Sequence, residues 1–343
     1  MQSRLISGGE KTGEEQAAID DALQSTALTP TRSAVLFLVF NRPDTTRQVF
    51  EAIRQAQPRR LYVAADGPRV GRVVEAGLCA EVRNAATRVD WPCEVKTLFR
   101  PDNLGCREAV RSAISWFFGQ EDEGIVLEDD CLPDPSFFRF CDELLERYRD
   151  EPQVMCVSGV TFISKVWEPA ESYYFSRYVH IWGWASWRRA WRHYDVQMTR
   201  WRTGETPDLL QRVLPRSAQA RDHWQQLFDR VSTGHIDTWD FQWVHACWSQ
   251  GGVSCLPHVN LISNIGFGNE ATHTISAEAK MANLPRESMQ FPLRHPTQLA
   301  PIESADRWTS EHVFDIDESM LSVRRWARPL ARRLRRVRSL VGL

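Results

Sequence analysis

The chain has 343 residues, of which 43% are hydrophobic and 25% charged, proportions typical of a globular protein with a large core. Its formal net charge of −2 hides a basic end, because 324–343 hold eight arginines and no acidic residue. The acidic remainder argues against nucleic-acid binding by the globular part. Eight scattered cysteines without a CxxC pair argue against zinc and indicate a reducing compartment. No signal peptide or membrane-spanning run is evident, so we expect a cytoplasmic protein.

Composition and pattern divide the chain into five segments. A polar leader precedes a strand–helix half, an aromatic-rich half of the same domain, an extended region and a basic tail. These segments span 1–31, 32–158, 159–275, 276–321 and 322–343.

The first half alternates apolar β-type runs with stretches of helical pattern. The apolar runs predict strands over 34–40, 61–65, 93–99 and 125–127. The other stretches predict helices over 45–56, 72–88, 105–118 and 135–149. This alternation predicts an α/β fold with right-handed crossovers and a mostly parallel sheet.

The second half is less regular and rich in aromatic residues. Its patterns predict a strand over 154–157, helices over 219–232 and 240–248, and a final strand over 253–256. Within its aromatic block, Trp184, Trp187 and Trp191 recur at helical spacing, which favours their burial in the core.

Polar residues stand where three of the predicted strands end. Asn41 and Arg42 follow the first strand, Asp66 the second, and the acidic triplet 128–130 the fourth. In parallel sheets ligands bind beyond the carboxyl ends of the strands, so we expect a site at this edge. Neither GxGxxG nor GxxxxGK[ST] occurs at these turns, so the sequence indicates neither a dehydrogenase nor a P-loop enzyme.

The acidic triplet Glu128-Asp129-Asp130 is the strongest local signal. Three adjacent carboxylates repel one another, so a fold that holds them together favours a bound cation. Carboxylate oxygens suit Mg²⁺ or Mn²⁺, which commonly bridge to substrate phosphates. The alternative is an exposed acidic turn with Asp134 as the cap of the next helix.

The order of these features resembles that of glycosyltransferases with the GT-A (Rossmann-like) fold. The likeness extends to the large inverting family 2, and more closely to the N-acetylglucosaminyltransferases that initiate complex N-glycans. It rests on VLEDDCLPDPSFFRF over 126–140, VMCVSG over 154–159, and the shorter segments at Asn41-Arg42, Asp66-Gly67, Gly183-Trp184 and Trp239-Asp240. It covers roughly 34–268, and it implies a UDP-sugar donor, with UDP-N-acetylglucosamine as one candidate.

The resemblance implies roles for the donor side of the site. Asp130 would contact the metal ion, Mn²⁺ or Mg²⁺, while Asp129 would face the ribose or the sugar, with Glu128 nearby. Asp66 would hydrogen-bond the uracil, and Arg42 would pair with the diphosphate. The alternatives are a turn residue for Asp66 and a solvated loop charge for Arg42.

Two further donor-side candidates have weaker signals. Asn103 starts a helix whose amide groups would receive phosphate or sugar hydroxyls, or it is a plain helix cap. His273, in a glycine-rich segment, would return to the metal or the diphosphate, or it is an exposed loop histidine.

The acceptor side requires a general base, and Asp240 is the candidate, with Asp237 in reserve. Its aromatic neighbours would restrict water and raise its pKa, which suits a base. The alternative is that Asp240 caps a helix. Either Trp182 or Trp184 is expected to line the acceptor site, because flat aromatic faces pack against sugars.

The basic tail has apolar residues on one helical face and arginines on the others over 324–341. This pattern predicts contact with a membrane surface. The alternative is a solvated or partner-bound tail.

The leading hypothesis is therefore a metal-dependent, inverting glycosyltransferase of bacterial envelope or exopolysaccharide synthesis. It would move a sugar from a nucleotide sugar to a glycan or lipid-linked glycan, as a peripheral protein on the inner face of the plasma membrane. One alternative is a sugar nucleotidyltransferase, whose glycine-rich phosphate loop is not evident here. The other is a non-catalytic sugar- or membrane-binding protein.

Overall fold

The computed structural model of the chain describes residues 30–164, 170–266 and 283–316. His273, the basic tail and all but the last two residues of the predicted leader lie outside these ranges. In the described ranges, no helix is long and apolar enough to cross a membrane.

The described residues form ten strands and ten helices. The strands are β1 (Ala34–Val39), β2 (Arg60–Ala65), β3 (Glu94–Phe99), β4 (Glu123–Glu128), β5 (Cys131–Pro133), β6 (Val154–Ser158), β7 (Tyr173–Ser176), β8 (Trp184–Trp187), β9 (Val253–Pro257) and β10 (Ile262–Asn264). The helices are α1 (Pro43–Ala56), α2 (Val73–Ala86), α3 (Cys106–Phe118), α4 (Ser136–Arg147), α5 (Arg188–Trp191), α6 (Thr199–Arg202), α7 (Leu209–Val213), α8 (Ala218–Ser232), α9 (Asp240–Ser249) and α10 (Glu303–His312).

Eight strands form one sheet in the order β3-β2-β1-β4-β8-β6-β9-β7. Strand β1 runs parallel to β2 and β4, and β2 runs parallel to β3. Strand β8 is antiparallel between β4 and β6, and β7 is antiparallel to β9 at the edge. The predicted α/β class with a mostly parallel, helix-flanked sheet is thereby confirmed, and it begins in the Rossmann-like order 3-2-1-4.

The continuous apolar run of β1 is explained by burial on both faces of the sheet. Val35, Phe37 and Val39 pack into one core cluster. Ala34, Leu36 and Leu38 pack into a second cluster on the other face. Every residue of β1 is therefore buried, as the absence of polar alternation predicted.

The prediction that Trp184 and Trp187 follow a helical period is wrong, although both are buried. They begin and end β8, and because side chains alternate along a strand they enter opposite core clusters. Trp184 pairs with Val126 and Trp187 with Glu123 on β4. Their burial thus comes from the sheet and not from a helix.

A second, two-stranded sheet lies directly after the acidic triplet. Strand β5 pairs antiparallel with β10, with Ile262 opposite Pro133. The strand predicted at 253–256 is present as β9, but it is not the final strand, because β10 follows it. The pairing brings the chain after β10 back to the triplet, where the N–H of Ile265 donates to the carbonyl of Asp130 at 2.8 Å. Helix α10 was also not predicted, because it lies in the aperiodic region 276–321.

Candidate functional site

The carboxyl ends of β1, β2 and β4 open into a cavity of about 1170 Å³. Eight of the ten residues proposed from the sequence line it: Arg42, Asp66, Asn103, Glu128, Asp129, Asp130, Trp182 and Asp240. They come from several separate segments of the chain, and the parallel strands bring their ends to one edge. Of the other two, Trp184 lies in the core and His273 lies outside the described residues.

The acidic triplet ends β4 on the cavity wall, and Arg42 faces it from the end of β1. The Nη1 atom of Arg42 lies 2.8 Å from Oδ2 of Asp130 and 4.0 Å from Oδ1 of Asp129. The N–H of Phe40 donates to Oδ2 of Asp129 at 3.2 Å. Asp129 is only 8% exposed, so the alternative of an exposed acidic turn is wrong.

Removal from water and mutual repulsion disturb the ionisation of the triplet. Burial raises the pKa of Asp129, and the adjacent charge of Asp130 raises it further, while Arg42 lowers it. Glu128 has a pKa raised well above its ordinary value by the same causes, with added repulsion from Asp129 and Asp240. Both shifts therefore have the same physical origin, which is removal from water together with repulsion between adjacent carboxylates.

The triplet would suit a metal ion bound partly by the protein and partly by a ligand better than one bound by protein side chains alone. In the described part of the chain, no three His, Cys, Asp or Glu side chains are placed to hold a metal. Mg²⁺ usually takes one or two carboxylates and completes its shell with phosphates and water. Asp130, like Glu128, is partly exposed, and a Cβ at Gly266 would clash with the Asp130 carboxylate. The glycine thus leaves space at Asp130.

Asp66 forms hydrogen bonds with the loop that starts α3. Its carboxylate accepts from the N–H of Leu104 at 2.9 Å, from that of Gly105 at 3.2 Å, and from Nδ2 of Asn103 at 2.9 Å. Burial raises the pKa of Asp66, and the N–H donors partly offset this. These bonds and one from the N–H of Gly67 give Asp66 the turn role that was its alternative. The alternative that Asn103 caps the helix is wrong, because the N-cap position of α3 belongs to Gly105. The contact of Asp66 with uracil stays a prediction.

Asp240 is the first residue of α9 and lines the same cavity as Arg42. Its Oδ1 accepts from the N–H of Phe241 at 2.9 Å and from the hydroxyl of Thr238. The alternative that Asp240 is the helix cap is wrong by one residue, because the N-cap position belongs to Trp239. The charge of Asp240 raises the pKa of Glu128, so the two carboxylates are near each other.

A wall of packed aromatic rings supports the turn that carries Asp240. Trp239 is 3% exposed and stacks on Trp184, with ring centroids 5.9 Å apart and planes 23° apart. The hydroxyl of Tyr194 donates to the carbonyl of Trp239 at 3.1 Å. The backbone before Asp240 is therefore fixed from two sides.

Trp182 and Trp184 have different roles, although both were candidates for acceptor binding. Trp182 lines the cavity, and its ring contacts that of Phe162 edge-on at 5.6 Å. Trp184 is fully buried in β8, behind Trp239. The prediction of an acceptor contact for Trp184 is therefore wrong, since no face of its ring reaches the cavity.

The reserve candidate, Asp237, also lines the cavity, but its Oδ1 lies 3.2 Å from Nε of Arg107 in an ion pair. Cys106, which was not predicted, is on the same wall. Restricted solvation and the nearby charge of Glu128 raise the pKa of the Cys106 thiol to about 12.

Sequence reasoning also missed Asn264 and Gly266, which line the cavity beside Asp130. The side chain of Asn264 accepts from the N–H of Gly266 at 2.9 Å, which fixes the turn after β10. The Asn-x-Gly spacing was the available signal, because both residues favour tight turns.

No protein-family model matches this chain, and no curated protein matches it significantly.

Proposed function

We propose that the chain is a metal-dependent, inverting glycosyltransferase with a GT-A fold that uses a nucleotide sugar, with UDP as the expected nucleotide. The observation that carries this proposal is the convergence of the eight predicted residues on one cavity. Acids and Arg42 line the same cavity as Asp240, and a leaving diphosphate and an attacking hydroxyl need groups of these two kinds. A volume of about 1170 Å³ is ample for a nucleotide sugar.

In the proposed reaction Asp240 takes the proton from an acceptor hydroxyl. The hydroxyl oxygen then forms a bond to the anomeric carbon from the face opposite the nucleotide. The bond from that carbon to the diphosphate oxygen breaks, and its electron pair leaves with the nucleoside diphosphate. Arg42 is placed to stabilise the leaving charge. A divalent ion at Asp130, when bound, would supply further charge stabilisation.

The connection from β1 to α1 argues against the nucleotidyltransferase alternative. It consists of Phe40, Asn41 and Arg42 and contains no glycine-rich phosphate loop. The raised pKa values and the converging polar groups are typical of a functional site, which argues against a non-catalytic protein.

Calorimetry with UDP, in the presence and absence of Mn²⁺, tests the proposal directly. We expect Mn²⁺ to strengthen UDP binding to the native chain by roughly tenfold or more, and Asp130→Asn to remove that increase. Asp44→Asn is the matched control, because Asp44 is exposed on α1 and forms its ion pair with Arg47. UDP binding that ignores Mn²⁺ would overturn the proposed metal dependence. A panel of UDP-, GDP- and dTDP-sugars then identifies the donor by Mn²⁺-dependent hydrolysis.

A further inference from the structure

Among the described residues, the three most exposed large hydrophobic side chains lie within five consecutive residues of the chain. Val70, Val73 and Val74 are 97%, 89% and 78% exposed. They belong to the segment 69–74, which runs from the connection after β2 into the first turn of α2 and is here called the valine tip. Leu104, 41% exposed, is on the neighbouring loop, whose backbone at 102 packs against Gly67.

A buried network holds the valine tip at the mouth of the cavity. Glu75 is 6% exposed and accepts from the N–H of Arg69 at 2.6 Å, and it also pairs with the Arg69 guanidinium. Asn41 donates to the same carboxylate at 2.9 Å. The guanidinium carbon of Arg69 lies 5.6 Å from the ring centre of Phe40. The chain thus uses a buried carboxylate to fix a segment whose apolar side chains point into water.

The chemistry of the valine tip matches that of an anionic lipid surface. The tip contains two arginines and no acidic residue. Arg72 forms no ion pair with any residue that the structure describes. Valines enter the boundary of the acyl chains, and arginines contact anionic headgroups. The tail over 324–341 repeats this combination in the sequence, which favours the same kind of partner for both.

We infer that the valine tip is a membrane-contact element that sets the mouth of the cavity on an anionic lipid surface. Arg72, Val73 and Val74 belong both to the tip and to the cavity lining, so the surface would adjoin the site. A substrate with a lipid anchor would then reach the cavity without leaving the membrane. The membrane contact itself does not depend on the proposed reaction.

Vesicle flotation of the full chain tests the inference. The vesicles contain either phosphatidylcholine alone or equal parts of phosphatidylcholine and phosphatidylglycerol. We expect binding to the anionic vesicles and a loss of roughly tenfold or more in the triple variant Val70→Ser, Val73→Ser and Val74→Ser. Ile302→Ser is the matched control, because Ile302 is 36% exposed beside β7, at the far edge of the sheet.

Hydrogen exchange of the native chain locates the contact. We expect the amides of 69–74 to gain protection when anionic vesicles are added. Equal flotation of the native chain and the triple variant would overturn the inference, as would vesicle protection that omits the tip. Urea unfolding of the triple variant, followed by tryptophan fluorescence, checks that it remains folded. If the valine tip does not contact membranes, Mn²⁺-dependent UDP binding is unaffected. The vesicle experiment and the calorimetry therefore test the two proposals independently.

Discussion

Replacement of Glu75 by Gln tests whether a buried charge holds the cavity mouth. The change keeps the size of the side chain but removes the carboxylate that accepts from Arg69 and Asn41. The Arg69 guanidinium would then lose its ion-pair partner. We therefore expect a less stable protein with a loosened connection between β2 and α2.

The pKa of Glu75 gives the size of the effect. Bonds from Arg69 lower the pKa from 4.5 to about 2. A lowering of this size is worth roughly 3 kcal/mol of folding free energy. The Arg69 side chain is 46% exposed, so water screens part of the interaction. We expect Glu75→Gln to lower the free energy of unfolding by about 1.5 to 2 kcal/mol at pH 7.

The pH dependence identifies the charge as the cause. A carboxylate whose pKa is lowered by folding stabilises the protein above its unfolded pKa, and the stabilisation is lost as pH falls through the folded value. The difference between the native chain and Glu75→Gln should therefore be constant above about pH 6. The difference should fall to less than about half of its neutral-pH value by pH 3, a pH that lies between the ordinary pKa of 4.5 and the folded pKa of about 2.

Urea unfolding followed by tryptophan fluorescence measures this difference at several pH values. Glu81→Gln is the control, because its ion pair with Arg47 joins side chains that are both about half exposed. That variant should change the free energy of unfolding by less than about 0.5 kcal/mol. A Glu75→Gln difference that stayed constant down to pH 3 would refute the electrostatic reasoning and indicate a packing defect.

Three further predictions concern the cavity. Asp240→Asn should abolish sugar transfer yet keep UDP affinity within about threefold, and a larger loss in calorimetry would place Asp240 in the donor site. Gly266→Ala should weaken Mn²⁺-dependent UDP binding by roughly tenfold, because its Cβ would displace Asp130; unchanged affinity would contradict this. Trp184→Ala should cost about 3 to 5 kcal/mol in urea unfolding. Trp182→Ala should cost less than half as much while raising the acceptor KM, and equal costs would contradict the different placements of the two rings.

The parts of the site that the sequence predicted are those governed by local pattern and strand direction. Strand β1 is apolar throughout because both of its faces are buried, so its limits were evident from the residues alone. The ends of parallel strands meet at one edge, and this places Arg42, Asp66 and Asp130 around one cavity without knowledge of any contact. Such inferences need only the order and direction of the strands.

The errors came from pairings between distant parts of the chain. Strands β5 and β10 have three residues each, too few to show a period, and they pair across a long separation in sequence, with Ile262 opposite Pro133. The burial of Trp184 depends on β8 entering the sheet antiparallel between β4 and β6. The spacing between Trp184 and Trp187 is compatible with a continuous helix and equally with a strand that leads into a helix. Local pattern does not distinguish the two.

The charges around Asp130 bear on the proposed order of metal and nucleotide binding. Arg42 pairs with Asp130, and burial and repulsion raise the pKa values of Glu128 and Asp129. In the proposed reaction a diphosphate would bring negative charge to this wall, and a divalent ion would then have both the diphosphate and Asp130 as partners. The Arg42 guanidinium would also face the diphosphate. Mn²⁺ should accordingly bind weakly alone and tightly with UDP, which the same calorimetry measures.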